Sequence, residues 1–154
     1  MNNIKKITFI CLGNICRSPS AEYIMKYYLK KEGMDKDYII DSAGYSSCND
    51  GLDIFYKAKE QLDIHSIPCP RHYAKVIDQK LYDESDLVLV MEEKNKRMIE
   101  SMFGVDNSKV KKLLDFSSSP RDISDPYYCN NYELVYSEIE EGVLSLIEYL
   151  KKAN

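Results

Sequence analysis

Cys11 stands six residues before Arg17 in the stretch CLGNICRS, which runs from Cys11 to Ser18 directly after the apolar residues Ile7-Thr8-Phe9-Ile10. A thiol becomes a strong nucleophile only on ionising, which free cysteine does at about pH 8.5. Three features here favour the thiolate. A helix expected from Ser18 aims its positive end at the loop. The backbone N–H groups of residues 12 to 17 can converge on a sulfur or a phosphate. Arg17 adds a fixed charge with two parallel donors matched to a phosphoryl group. Ser18 can donate to the thiolate and, with Pro19 behind it, cap the helix. Gly13 and Asn14 tolerate a tight loop with positive φ. The pattern is that of covalent phosphate transfer: Cys11 as nucleophile, with Leu12, Gly13, Asn14, Ile15, Cys16, Arg17 and Ser18 cradling the anion. A bare Cys-x5-Arg pair would suit a strand-end cysteine beside a helix-start charge, but the full context does not. The nucleotide P-loop is excluded, because its Gly-Lys-Ser/Thr is missing, and no Gly-x-Gly-x-x-Gly turn occurs.

Phosphate transfer from a phenol needs an acid for the leaving group and a base for the attacking water, and one carboxyl group can serve both steps. Asp125 is the candidate. It heads an Asp-Pro step in the long irregular segment from Ser117 to Asn131, and loops of that length are often functional. Asp-Pro alone is an ordinary turn start. Asp122 is the alternative acid.

These residues need a scaffold. Apolar runs at Ile7 to Ile10, Tyr38 to Ile40, Leu87 to Met91 and Val110 to Leu114 read as buried strands. Helical periodicity joins Ala21, Met25, Tyr28 and Leu29; Ile54, Ala58 and Leu62; Met98, Ile99, Met102 and Phe103. A last helix gathers Val135, Ile139, Val143, Leu146, Ile147 and Leu150. The alternation predicts one α/β domain over residues 1–154, with three layers and a parallel sheet flanked by helices on both faces. Cys11 then lies at a strand's carboxyl end, where such sheets bind ligands.

The bulk composition sets further bounds. The net charge of −4 gives no footprint for nucleic acid. Five cysteines form no disulfide framework, so a reducing, cytoplasmic setting is expected. Two histidines, His65 and His72, lie far from any paired cysteines, so no metal or other cofactor is expected. Lys5-Lys6 before Ile7 mimics a secretory leader, but Gly13-Asn14 and Arg17 break the apolar stretch. No run reaches membrane-spanning length. A monomer is expected.

FICLGNICRSPSAE at residues 9–22 resembles the signature of the low-molecular-weight protein tyrosine phosphatases. The resemblance continues through DSAG at 41–44, Arg71-His72 with Ala74, DLVLVMEEKN at 86–95 and DPYY at 125–128. It implies a four-stranded parallel sheet, and proteins bearing phosphotyrosine as substrates. It also implies a phosphocysteine on Cys11, Arg17 clamping the phosphoryl oxygens, and Asp125 as general acid and base. By the same resemblance Asn14, Ser18, Ser42 and His72 hold the loop and thiolate, although Ser42 also suits a turn and His72 a core histidine. Cys16 is implied to form a protective disulfide with Cys11.

The sequence departs from the family outside the loop. Tyr45 replaces the usual threonine, and Ser46-Ser47-Cys48-Asn49 occupies the place of an aromatic cleft wall. Tyr45 and Cys48 are therefore expected at the cleft, with Tyr127 as the opposite wall. Cys129 replaces a glycine, and Phe55-Tyr56-Lys57 replaces an Asp-x-Arg. Most of the thirteen tyrosines suit packing, with regulatory phosphorylation of Tyr127 or Tyr128 the alternative.

Three other functions remain open. A protein-arginine phosphatase tends to carry threonine where Ile15 stands. An arsenate reductase needs relay cysteines, and none lies between Cys69 and Cys129. A non-catalytic phosphotyrosine-binding module would be expected to lose Cys11, Arg17 or Asp125. Because a protonated carboxyl and a thiolate must coexist, activity on aryl phosphates should peak at mildly acidic pH. A flat rate profile over roughly pH 5 to 8 would contradict that mechanism.

Overall fold

A computed structural model describes residues 3–153 of the chain. Four strands, β1 (Lys6–Cys11), β2 (Ile39–Gly44), β3 (Leu87–Val90) and β4 (Val110–Lys112), form one parallel sheet in the order β2-β1-β3-β4. Side chains alternate across it as strand geometry requires. Ile7, Phe9 and Cys11 face one layer, built from α1 (Arg17–Lys31), α2 (Tyr56–Ile64) and α6 (Tyr132–Ala153). Ile10, Val88 and Val90 face the other, built from α3 (Gln79–Glu84) and α4 (Glu93–Phe103). A single α/β domain results. No described helix is long and apolar enough to cross a membrane.

The chain leaves β1 for β2 on one side, then crosses back over β1 to reach β3 on the other. That reversal opens a crevice at the carboxyl end of β1, and Cys11 stands there.

Local differences from the sequence reading have physical causes. β2 starts at Ile39 and extends to Gly44, because Asp41-Ser42-Ala43-Gly44 pairs along β1 despite its poor strand propensity. β4 ends at Lys112, and Leu113–Phe116 turn as a 3-10 helix. Leu113 and Leu114 are nevertheless fully buried there, with Leu113 against Gly142 of α6, where an added Cβ would lie 2.5 Å from Leu113 Cγ. Ile54 is core but precedes α2. Met98 and Met102 are exposed, leaving Ile99 as the buried anchor of α4. α3 and the short α5 (Pro126–Cys129) lie on segments too brief for a periodic signal.

The segment from Ser117 to Asn131 is irregular but tethered. Ile123 N–H donates to Met91 O (2.9 Å) and Ser124 N–H to Glu138 Oε1 (2.9 Å). Arg121 grips Glu141 through two parallel hydrogen bonds of 3.0 and 2.9 Å, and the Ser117 hydroxyl donates to the same carboxylate. The Arg121 contact first, and the Ser117 hydroxyl second, hold the Glu141 carboxyl below its ordinary 4.5, at about 2. A depressed folded-state value means this stabilisation is present above pH 4.5 and is lost as pH falls toward about 2. In acid titrations followed by circular dichroism, Glu141→Gln should therefore lose less stability than the parent across that window. Parallel acid limbs for the two proteins would refute the assignment.

Candidate active site

The loop from Cys11 to Arg17 is held by its carbonyls. Leu12 O accepts from the Tyr45 and Ser46 N–H groups (both 3.0 Å), and Asn14 O lies 2.7 Å from His72 Nε2. Ile15 O accepts from Phe55 N–H (2.7 Å), and Cys16 O from the Ser20 hydroxyl (2.7 Å) and N–H (3.2 Å). Among the described residues, none of the N–H groups of Leu12 to Cys16 donates outside the sheet. The loop turns its carbonyls to the protein and leaves its N–H groups uncommitted, as an anion-binding nest does. α1 adds to this. Its N-cap is Cys16, with no side-chain cap. Ser18 sits inside the first turn and does not cap the helix, contrary to the sequence expectation. The orphan N–H groups of α1 thus remain available for an anion.

Asn14 is the pivot. Its φ of 58° is left-handed, which asparagine tolerates better than most residues. Its amide nitrogen donates to Ser18 Oγ (2.9 Å) and Ser42 Oγ (3.0 Å), and its Oδ1 accepts from Lys75 N–H (3.1 Å). Asn14 O can only accept, so His72 must carry its proton on Nε2. The Ser42 hydroxyl donates its own hydrogen bond to Glu22 Oε1 (2.6 Å). Ser18, already an acceptor, has its hydroxyl proton left for Cys11 Sγ at 3.0 Å, which is closer than Ala43 O at 3.4 Å. Gly44 lets the loop approach β2, since a Cβ there would lie 2.6 Å from Leu12 O.

Arg17 is nearly buried. Its Nη1 donates to Ile123 O (3.0 Å) and lies 2.7 Å from Glu92 Oε2, while Nη2 lies 3.6 Å from Asp125 Oδ2. Glu92 Oε2 is itself buried and accepts no well-formed hydrogen bond, so its contact with Arg17 is one of charge. Asp125 caps α5 through Tyr127 N–H (3.0 Å) and still presents its second oxygen to the cleft. Asp122 lies elsewhere: it accepts from Glu93 N–H (3.1 Å) and Lys112 Nζ (3.0 Å) at the start of α4.

A cleft of about 380 Å³ opens over Cys11, lined by Leu12, Ile15, Arg17, Asp125 and an aromatic group of Phe55, Tyr127, Tyr128 and Tyr132. Tyr127 and Tyr128 are strongly exposed and meet edge to face, with ring centroids 5.0 Å apart. Two expected cleft residues are not in its lining. Tyr45 turns toward α4, its hydroxyl accepting from Asn95 Nδ2 (3.0 Å), and Cys48 points to solvent. Asn49 and Phe55 line that side instead. Cys16 also faces the cleft. Burial above all, then repulsion from Cys11 and Asp125 against the opposing pull of Arg17, pushes its thiol up to about 12, so it stays protonated at neutral pH.

Glu92 and Glu22 were not among the residues singled out in the sequence; Asn49 was named there only as part of the segment in the place of an aromatic wall. A signal existed for Glu92: it directly follows LVLVM, so it stands at the same carboxyl edge of the sheet as Cys11.

In a parallel α/β sheet, a nest of uncommitted N–H groups next to a strand-end thiol suits cysteine-dependent hydrolysis of phosphoric monoesters. Known proteins narrow this class. The profile of the family described as low molecular weight phosphotyrosine protein phosphatase matches residues 6–154. The low molecular weight protein-tyrosine-phosphatase PtpA of Staphylococcus aureus is 35% identical over 147 residues, covering 95% of this chain and 94% of its own. Among solved structures, YfkJ from Bacillus subtilis aligns with a TM-score of 0.92 at 32% identity, covering 98% of this chain and 97% of its own. A Drosophila arginine phosphatase, DARP, aligns at 0.86 with 26% identity, covering 95% and 98%. The chain belongs to the low molecular weight phosphotyrosine protein phosphatase family.

The Glu92 contact carries a test. With Arg17 buried, removing one counter-charge should destabilise the free protein by about 3 kcal/mol in Glu92→Gln. Inorganic phosphate should then raise the melting temperature more in Glu92→Gln than in the parent, because the anion supplies the missing charge. Equal phosphate-induced shifts in the two proteins would rule out this role for Glu92.

Proposed function

We propose that this protein hydrolyses phosphotyrosine in proteins through a phosphocysteine on Cys11. The observation that carries the reading is the loop's asymmetry: four of its carbonyls are taken by protein donors, while the N–H groups of Leu12 to Cys16, next to the thiol in the chain, are uncommitted. In this reading the phosphoryl group seats on the N–H groups of Leu12 to Ser18, and Arg17 offers its remaining donors to two of the oxygens. The Cys11 thiolate, hydrogen-bonded by Ser18, attacks phosphorus. The S–P bond forms as the P–O bond to the phenol breaks, and Asp125 gives its proton to the departing oxygen. Water then attacks phosphorus, Asp125 takes the proton back, the S–P bond breaks and inorganic phosphate leaves.

The aromatic lining and Ile15 favour a flat aryl leaving group. The fold's likeness to a Drosophila arginine phosphatase makes phosphoarginine the competing substrate. The test compares steady-state kinetics of the purified protein on matched phosphotyrosine and phosphoarginine peptides. Phosphotyrosine should be preferred, and Cys11→Ser should reduce turnover to background. Asp125→Asn should lower kcat by about 10²- to 10⁴-fold on phosphotyrosine. The loss should be smaller on p-nitrophenyl phosphate, whose leaving group needs less proton assistance. Turnover retained by Cys11→Ser would end the proposal, and preference for the phosphoarginine peptide would replace its substrate.

A further inference from the structure

Two ammonium groups border the aromatic cleft, and the reaction proposed above uses neither. Lys94, in the first turn of α4, lines the cleft with its Nζ 5.5 Å from the Tyr128 ring centroid. It meets Glu92 only at 3.7 Å, and its side chain is 54% exposed. Lys57, in the first turn of α2, places its Nζ 6.0 Å from the ring centroid of Tyr132, which also lines the cleft. Among the described residues Lys57 forms no ion pair with a carboxylate. Both lysines occupy the second helical position, where a cation opposes the helix dipole. Local helix energetics therefore do not account for either. In a chain of net charge −4, they set positive charge where a substrate's flanking residues would lie.

We infer that Lys57 and Lys94 select phosphotyrosines flanked by aspartate or glutamate. The inference rests on the phosphotyrosine reading above and adds the sequence around the phosphorylated residue. Both rings beside the lysines belong to the cleft wall. A phosphotyrosine ring stacked among Phe55, Tyr128 and Tyr132 would bring its neighbours in the peptide within reach of the two ammonium groups. Contacts of this exposed kind act chiefly on encounter and KM, and salt weakens them.

The experiment measures kcat/KM on three phosphotyrosine peptides of one length, flanked by acidic, neutral or basic residues. At low salt the acidic peptide should be preferred over the neutral one about tenfold, mainly through KM, and the preference should shrink in 0.5 M NaCl. Lys57→Glu and Lys94→Glu should each reduce it, and the double variant should favour the basic peptide. Because the readout is a ratio within each protein, partial loss of folded enzyme does not mimic the result. Equal kcat/KM on acidic and neutral peptides in the parent protein would overturn the inference and leave the phosphotyrosine reading intact. Hydrolysis of none of the three would overturn both.

Discussion

The site depends on how Asn14 is held. A left-handed residue in the middle of the loop is what lets successive carbonyls turn outward and N–H groups inward, and the backbone would not keep that shape unaided. Its amide nitrogen ties it to α1 through Ser18 and to β2 through Ser42, while its Oδ1 and its carbonyl tie it to the 72–75 segment through Lys75 and His72. The polar second strand, buried where apolar residues would pack better, makes sense in this light. Ser42 and Gly44 are there for the loop, the one as a partner and the other because the loop passes too close for a Cβ.

Arg17 poses the complementary problem. An anion site needs a cation without a partner, yet a buried cation without a partner is costly. Here Glu92 and Asp125 flank it, one at 2.7 Å and the other at 3.6 Å. The two carboxylates are anchored differently. Glu92 sits in a reciprocal capping arrangement with Asn95, its backbone N–H donating to Asn95 Oδ1 at 3.1 Å. Asp125 lies on an irregular segment held from behind by Arg121, Glu138 and Glu141. The closer carboxylate is thus fixed to a helix, while the looser one stands over the cleft, where the proposed reaction needs a proton donor.

Much of this was legible in the sequence because its chemistry is contiguous. Cys11 to Ser18 carries nucleophile, turn residues and arginine within eight positions, and the apolar run before it places the group at a strand end. What was not legible depends on contacts between distant segments. Tyr45 looked like a cleft wall because it follows DSAG, but its hydroxyl is claimed by Asn95, fifty residues on. Met98 and Met102 matched a helical stripe, but α4 packs on the core through Ile99 and Phe103, and both methionines stay exposed. Glu22 reads as a helix surface charge until β2 brings Ser42 to it.

The differences from the family pattern concentrate on one wall of the cleft, and they bear on what enters it. With Asn49 in place of an aromatic residue, stacking on that side falls to Phe55, which is tied to the loop through Ile15 O. The other side keeps Tyr127 and Tyr128, both largely in solvent. A ring held mainly from one side gains less from stacking alone, since each aromatic contact adds only about 0.5–1.5 kcal/mol beyond its burial. On the proposed reading, recognition draws more on the phosphate beneath and on charges at the rim than on a tight aromatic slot. On the proposed reading the loop determines which bond is broken, while the substrate's identity is left to the residues that line the rim of the cleft.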